Sequence, residues 1–224
     1  MPQAPRPHPG TLPPLLITCA LGIERLALRG GPGPGPAGGG VTVLRTGMGP
    51  RAAQRAVTRT LDPAAAPGPV PDVVATGFCA GLDPGMRPGD LVVAAETRDA
   101  VGATPCTGGD VLAEALSGVA RARPGGTVHT GPLACSDHVV RGAERAALRA
   151  TGALAVDMES AVVLRTAVAA GARRVAAVRV VVDAPEHELI RIGTLRGGIS
   201  AFRVLRAVLP ALVHWHRSLP LPRR

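Results

Sequence analysis

Apolar residues in this chain fall into two spacings that alternate from one end to the other. Short β-branched or leucine-rich runs predict strands over Leu15–Ile23, Val41–Thr46, Val73–Thr76, Gly89–Ala95, Thr127–Ala134, Ala153–Val156 and Val175–Val182. Between them, apolar positions three and four apart predict helices over Pro50–Leu61, Asp110–Ala120, Arg141–Ala150 and Met158–Gly171, with a last one over Leu195–Val213. Pro50 suits a first helical position, where an N–H would have no partner, and Gly171 suits a helix end. Gly47-Met48-Gly49 reads as the turn into the first long helix, and Gly77–Gly81 as a tight glycine turn. Strands alternating with helices predict an α/β fold of three layers, α/β/α, around a central mixed, mostly parallel sheet.

The segment Gly152–Pro185 organises this pattern as strand, helix, strand. Ala161, Leu164 and Val168 fall on one helical face, and Val175–Val182 is apolar except for Arg179, as in a strand buried on both faces. A helical crossover makes its two strands parallel. Glu159 and Asp183 are therefore expected at one carboxyl edge, where open α/β sheets bind ligands, with Met158 beside them. On the residues alone, plainer readings stand next to this one. Asp183 also suits a turn cap, and Glu159 suits the first turn of a helix, where the dipole favours an acid.

Hydrophobic residues make up 46% of the 224 but aromatics only 1%, so the core must be built from Ala, Val and Leu. The net charge of +9 rests on arginine alone, since lysine is absent. Such a charge points to an acidic partner, phosphate or an anionic lipid surface. No basic run is interleaved with aromatics, so nucleic acid is not expected. Cys19, Cys79, Cys106 and Cys135 are far apart, which supports neither a disulfide framework nor a zinc site and fits the cytosol.

Met1–Pro14 is Pro-rich and expected to be disordered; residues 15–214 are expected to form one domain, and 215–224 (WHRSLPLPRR) a basic tail whose Trp215 touches lipid. Leu15–Ile23 follows too little positive charge to be a secretory leader, and no run reaches the ~18 apolar residues of a membrane span. The prolines of Gly30–Gly40 remove backbone donors, so that segment is a surface connection and not a phosphate loop. Ser136-Asp137-His138 holds the residue types of a hydrolase triad, but neighbours in sequence cannot all converge, and His187 lacks metal-ligand spacing.

Three blocks carry a resemblance: VATGFCAGLDPGMRPGDLVVA (Val74–Ala94), ALAVDMES (Ala153–Ser160) and VRVVVD (Val178–Asp183), supported by Glu24 at a strand end and TGMGPRAA (Thr46–Ala53). Together they resemble the nucleoside phosphorylase and nucleosidase superfamily, which includes methylthioadenosine/S-adenosylhomocysteine nucleosidases. The wording is most similar to its hopanoid-associated branch, whose members are thought to remove adenine from adenosylhopane. The resemblance implies a phosphorylase/hydrolase-like fold. It implies that Glu159 holds the ribose hydroxyls, Met158 packs on the sugar, Asp183 protonates or hydrogen-bonds the purine at N7 and Glu24 faces the nucleophile. Thr76, Gly77, Phe78 and Cys79 would line sugar and base, with Met48 toward the 5′ substituent. No cofactor is implied, beyond inorganic phosphate as an alternative to water, for which Arg25, Arg45 and Arg51 are candidate ligands. The implied partners are an adenine nucleoside with an apolar 5′ substituent and a second copy of the chain, as a homodimer. A cytoplasmic location is implied, peripheral at the inner membrane surface if the tail binds lipid.

The chemistry asks for the same residue types. Breaking an N-glycosidic bond passes through an oxocarbenium-like sugar, which calls for nearby carboxylates, and the leaving base needs its charge neutralised. Two positions depart from the superfamily: Val139 stands where a stacking aromatic is usual, so that base stacking is either weaker or supplied from elsewhere, with Phe78 as the candidate, and Val182 replaces the usual serine before Asp183.

Overall fold

The structure is a computed structural model and describes residues 12–29, 40–65, 67–184 and 194–219. Most of the Pro-rich start, the Gly/Pro run at 30–39, His187 and the last five residues of the tail lie outside them. In chain order the elements are β1 (Leu15–Cys19), α1 (Gly22–Ala27), β2 (Val41–Arg45), α2 (Pro50–Thr60), β3 (Asp72–Gly81), β4 (Leu91–Asp99) and β5 (Gly102–Pro105). They continue as α3 (Gly109–Arg121), β6 (Val128–Cys135), α4 (Ala143–Ala150), β7 (Ala155–Asp157), α5 (Ser160–Ala169), β8 (Val175–Asp183) and α6 (Thr194–Ser218).

The expected α/β architecture is present: a mixed, mainly parallel sheet flanked by helices. β2, β1, β3 and β8 pair in that order, all parallel. The alternation in β8 shows why both faces are covered. Ala176, Val178 and Val180 pack toward α3 and α6, while Val175, Ala177 and Val181 pack toward α2 and α5. The register puts Arg179 on this second face, where it meets α5.

The sheet is not open throughout. β8 also pairs with β4, β4 with β6, β6 with β7, and β7 with β3, so these strands close into a ring. The seam is β3 itself. Its pairing with β8 slips at Cys79/Ala80, and beyond that bulge Ala80 and Gly81 pair with Val156 and Ala155 of β7. A bulge of this kind bends a strand, and bending is what closure requires.

Several expectations are corrected. β7 runs antiparallel to β3 while β8 runs parallel to it, so β7–α5–β8 is not a parallel crossover. Glu159 and Asp183 nevertheless converge, because β3 is long enough to carry both strands and Ala80 pairs with each. Val168 points to solvent, unlike Ala161 and Leu164. The first strand ends at Cys19, and Glu24 sits in the short helix α1 that sequence periodicity missed, not at a strand end.

Gly77–Gly81 is not a turn, since β3 runs straight through it. Gly77 serves close approach instead. At φ +137° a Cβ would lie 2.5 Å from Glu24 Oε1 and 2.8 Å from Arg179 Nη1, so only glycine lets the strand pass beneath both groups.

α6 continues past residue 214 to Ser218, and Trp215 is completely buried, its indole N–H donating to Thr107 O at 2.8 Å. His216 Nδ1 lies 2.8 Å from Asp72 Oδ2, which also pairs with buried Arg174. Trp215 is therefore not a lipid contact but the last large core residue, and the expected tail boundary falls inside a helix. Trp215→Ala is expected to destabilise the fold by about 3–5 kcal/mol, read by equilibrium urea unfolding. A loss under about 1 kcal/mol would place the indole outside the core.

Candidate active site

A cleft opens at the carboxyl edge of β1, β3 and β8. It is lined by Ala20, Leu21 and Glu24 from the end of β1 and α1, Phe78, Cys79 and Ala80 from β3, and Asp157, Met158 and Glu159 beyond β7. Val182 and Asp183 end β8 at its wall, Met48 closes one side, and His138, Val139, Val140 and Arg145 come from the β6–α4 connection and α4. The strand ends deliver these residues together because β1, β3 and β8 are parallel.

The site is built around Arg179, buried beneath the cleft at 2% exposure. Its guanidinium donates to Thr76 O (3.0 Å) and to Ser160 Oγ (2.8 and 3.1 Å), and its Nη2 pairs with Asp157 Oδ2 at 2.5 Å. Burial opposes the charge, but Asp157, Glu159 and Glu24 together outweigh that penalty and hold the arginine above its ordinary pKa.

The carboxylates differ in how many acceptor positions the protein already fills, out of about four each. Asp157 is committed: besides Arg179 it accepts from the Cys135 thiol (2.7 Å) and the Ser160 N–H (3.2 Å). Glu24 accepts from the N–H groups of Ala20 and Leu21 on Oε2 and of Phe78 on Oε1, each at 2.8 Å, which leaves about one position. Glu159, at the N-cap of α5, accepts from the Gly49 N–H at 2.8 Å and keeps most of its capacity for a ligand. Burial pushes the Glu159 carboxyl above its ordinary pKa, with Arg179 opposing and Asp157 and Glu24 adding to the rise.

Asp183 is partly buried and pairs with Arg145 Nη2. Arg145 is 8% exposed, and its Nε donates to Val140 O at 3.3 Å.

Among the residues expected from sequence, Glu24, Glu159, Asp183, Met158, Met48, Phe78, Cys79 and Val139 all line the cleft. Thr76 and Gly77 do not. They lie below it, Thr76 fully buried with its carbonyl on Arg179 and Gly77 as the passage described above. Arg25, Arg45 and Arg51 are not among the lining residues.

Three groups escaped sequence reading. Arg179 was visible as the lone break in an apolar strand, and Asp157 as the strand-end acid beside Met158. Arg145 left a fainter signal: it occupies the inward stripe of α4, one turn before Leu148.

Residues 35–209 match the profile of the Phosphorylase superfamily, and the chain belongs to that family. No curated protein matches the sequence. Among solved structures, the methylthioadenosine/S-adenosylhomocysteine nucleosidase of Helicobacter pylori is similar at TM-score 0.71 and 16% identity, over 91% of this chain and 98% of that one. The Neisseria meningitidis enzyme of the same name gives 0.64 and 21%, over 92% and 99%. The futalosine hydrolase of H. pylori gives 0.69 and 16%, over 90% and 97%. At these identities the likeness is one of fold.

Because the folded protein raises the Glu159 pKa, its contribution to stability is present below the ordinary carboxylate value of 4.5 and is lost as pH rises through the folded value. Glu159→Gln is therefore expected to unfold at a higher temperature than wild type at pH 7, with the gain disappearing near pH 4. Thermal unfolding at both pH values checks it, and a variant less stable at pH 7 would show that Arg179 dominates the balance.

Proposed function

We propose that the protein hydrolyses the N-glycosidic bond of an adenosine-type nucleoside with an apolar 5′ substituent. The observation that carries this reading is the uneven filling of the carboxylates. Glu159 presents open acceptor positions to a ligand, which suits ribose hydroxyls, and its charge with those of Glu24 and Asp157 favours a sugar that becomes cationic as the bond breaks. Hydrogen bonds that tighten in the transition state lower the barrier. Glu24 holds one remaining acceptor position at the cleft wall, suited to a water molecule. Phe78 lines the same cleft as Glu24 and Asp183 and is its one Phe, Tyr or Trp among the described residues, suited to packing on a base.

Water is favoured over phosphate by charge. The arginine among the lining residues, Arg145, is paired with Asp183, while four carboxylates face or underlie the cleft. Four carboxylates outnumber Arg145 and the buried Arg179, and both arginines are already engaged by them, which leaves an incoming phosphate no lining cation that is not already paired. The 5′ end is read from the rim, where the lining residues Met48 and Val139 are 65% and 61% exposed. An apolar rim suits a hopanoid skeleton, and adenosylhopane is the substrate the block wording favours. The smaller methylthio group of methylthioadenosine is the second reading, supported by the fold shared with nucleosidases of that name.

Incubation with adenosylhopane and with methylthioadenosine, each with and without phosphate, tests this through adenine release. Release is expected without phosphate, unchanged on adding it, and with the higher kcat/KM for adenosylhopane. Strict dependence on phosphate would overturn the hydrolytic part, and no adenine from either nucleoside would overturn the whole.

A further inference from the structure

The segment joining β6 to α4 brings His138, Val139 and Val140 to the cleft. Ser136, Asp137 and His138 do come together in it, but not as a triad. The Asp137 carboxylate (2.7 Å) and Ser136 Oγ (3.2 Å) both meet His138 Nδ1, so no hydroxyl stands across the ring from the acid. Nε2 instead meets the carboxylate of Glu144, in the first turn of α4, at 3.0 Å. The contact to Asp137 joins neighbours and fastens nothing. The contact to Glu144 spans six residues and ties the segment to the helix. The segment's other ties are the Ser136 N–H on Asp157 O at 2.9 Å and Arg145 Nε on Val140 O at 3.3 Å, with exposed Val139 between them.

A carboxylate on each nitrogen makes the ring's proton count decisive. Neutral imidazole has one N–H and one lone pair, so it satisfies one acceptor and turns a lone pair on the other; imidazolium donates to both. Asp137 and then Glu144 hold the His138 imidazole above its ordinary pKa of 6.5. His138 and, more weakly, Arg51 of α2 hold Asp137 below the usual carboxylate value, so that acid stays ionised throughout. The other charged groups nearby are engaged elsewhere: Asp99, across the hollow it shares with Asp137 and Glu144, by Arg165 at 2.7 and 2.8 Å, and Arg145 by Asp183.

We propose that His138 in its imidazolium form latches the rim segment to α4 and so positions the cleft wall formed by Val139 and Val140, with ligand affinity falling as the proton is lost. Only the choice of ligand rests on the nucleosidase reading above. The sign follows from the raised pKa: the latch is fully present below the ordinary value of 6.5 and is lost as pH rises through the folded value. His138 and Glu144 are both exposed, and exposed ion pairs are individually weak, so the effect is a graded change of affinity and not an on–off switch.

Proton NMR of the His138 ring, assigned by its loss in His138→Gln, gives the titration midpoint without a ligand. Amide hydrogen exchange at Val139 and Val140, corrected for its intrinsic pH dependence, shows when the wall loosens. Calorimetry with free adenine gives the affinity. The ring midpoint is expected above 6.5, with amide protection falling at the same pH. Adenine affinity is expected to drop about threefold to tenfold between about pH 6 and pH 8.5 with that midpoint, because only the latched fraction binds well. Glu144→Gln, outside the cleft lining, is expected to lower all three midpoints together by about half a unit, and His138→Gln to give flat profiles at the weaker level. A wild-type ring midpoint at or below 6.5 would overturn the proposal, and that result needs neither variant nor ligand. So would amide protection that stays put when Glu144→Gln moves the ring titration. Adenine that fails to bind at any pH would count against the nucleosidase reading, while ring titration and amide exchange still decide the latch.

Discussion

The buried guanidinium of Arg179 is the interaction on which the rest of the site depends. A charge at 2% exposure is tolerable only when paired and hydrogen-bonded, and here it is bound by Asp157, Ser160 and the Thr76 carbonyl. Those partners come from the end of β7, the start of α5 and the middle of β3, so one side chain ties together the three elements that frame the cleft. Gly77 is the steric condition for this arrangement, since any Cβ there would strike Glu24 and Arg179. In return the arginine allows three acidic side chains to sit close together under one pocket. Without it they would repel one another, and a carboxylate such as Glu159 would have no compensation for its burial.

Acceptor accounting separates the roles of groups that look alike in sequence. Asp157 has its positions taken by protein donors and serves to hold Arg179. Glu24 is nearly filled by three backbone N–H groups, which fixes it rigidly while leaving room for one small partner. Glu159 is anchored once, through Gly49, and is otherwise available. Charge is divided as well: Glu24, Asp157 and Glu159 share the field of Arg179, whereas Asp183 is met by its own arginine, Arg145.

Much of this arrangement is legible in the sequence. Local spacing marks the strands and helices well, because period-2 and period-3.6 patterns survive in a core built from Ala, Val and Leu. Glu24, Glu159 and Asp183 were found, and all three reach the cleft. What failed did so for nonlocal reasons. The direction of β7 depends on the bulge in β3, the burial of Trp215 depends on Thr107 more than a hundred residues away, and the run at Gly77–Gly81 looks like a turn because glycine serves both turns and close approaches. Arg145 was missed because arginine on a helix is ordinarily a solvated charge, and nothing near it in sequence names Asp183 as its partner.

The central claim is that the cluster of Glu24, Asp157 and Glu159 over Arg179 is tuned to a sugar bearing positive charge. The most direct measurement compares two unreactive ligands that share adenine and the 5′ group and differ only at the ring: a pyrrolidine, cationic at neutral pH, and its neutral cyclopentane counterpart. Tighter binding of the cationic ligand by about 10²-fold or more is the predicted result, as for a mimic of the transition state. Equal affinity for the two would contradict the account.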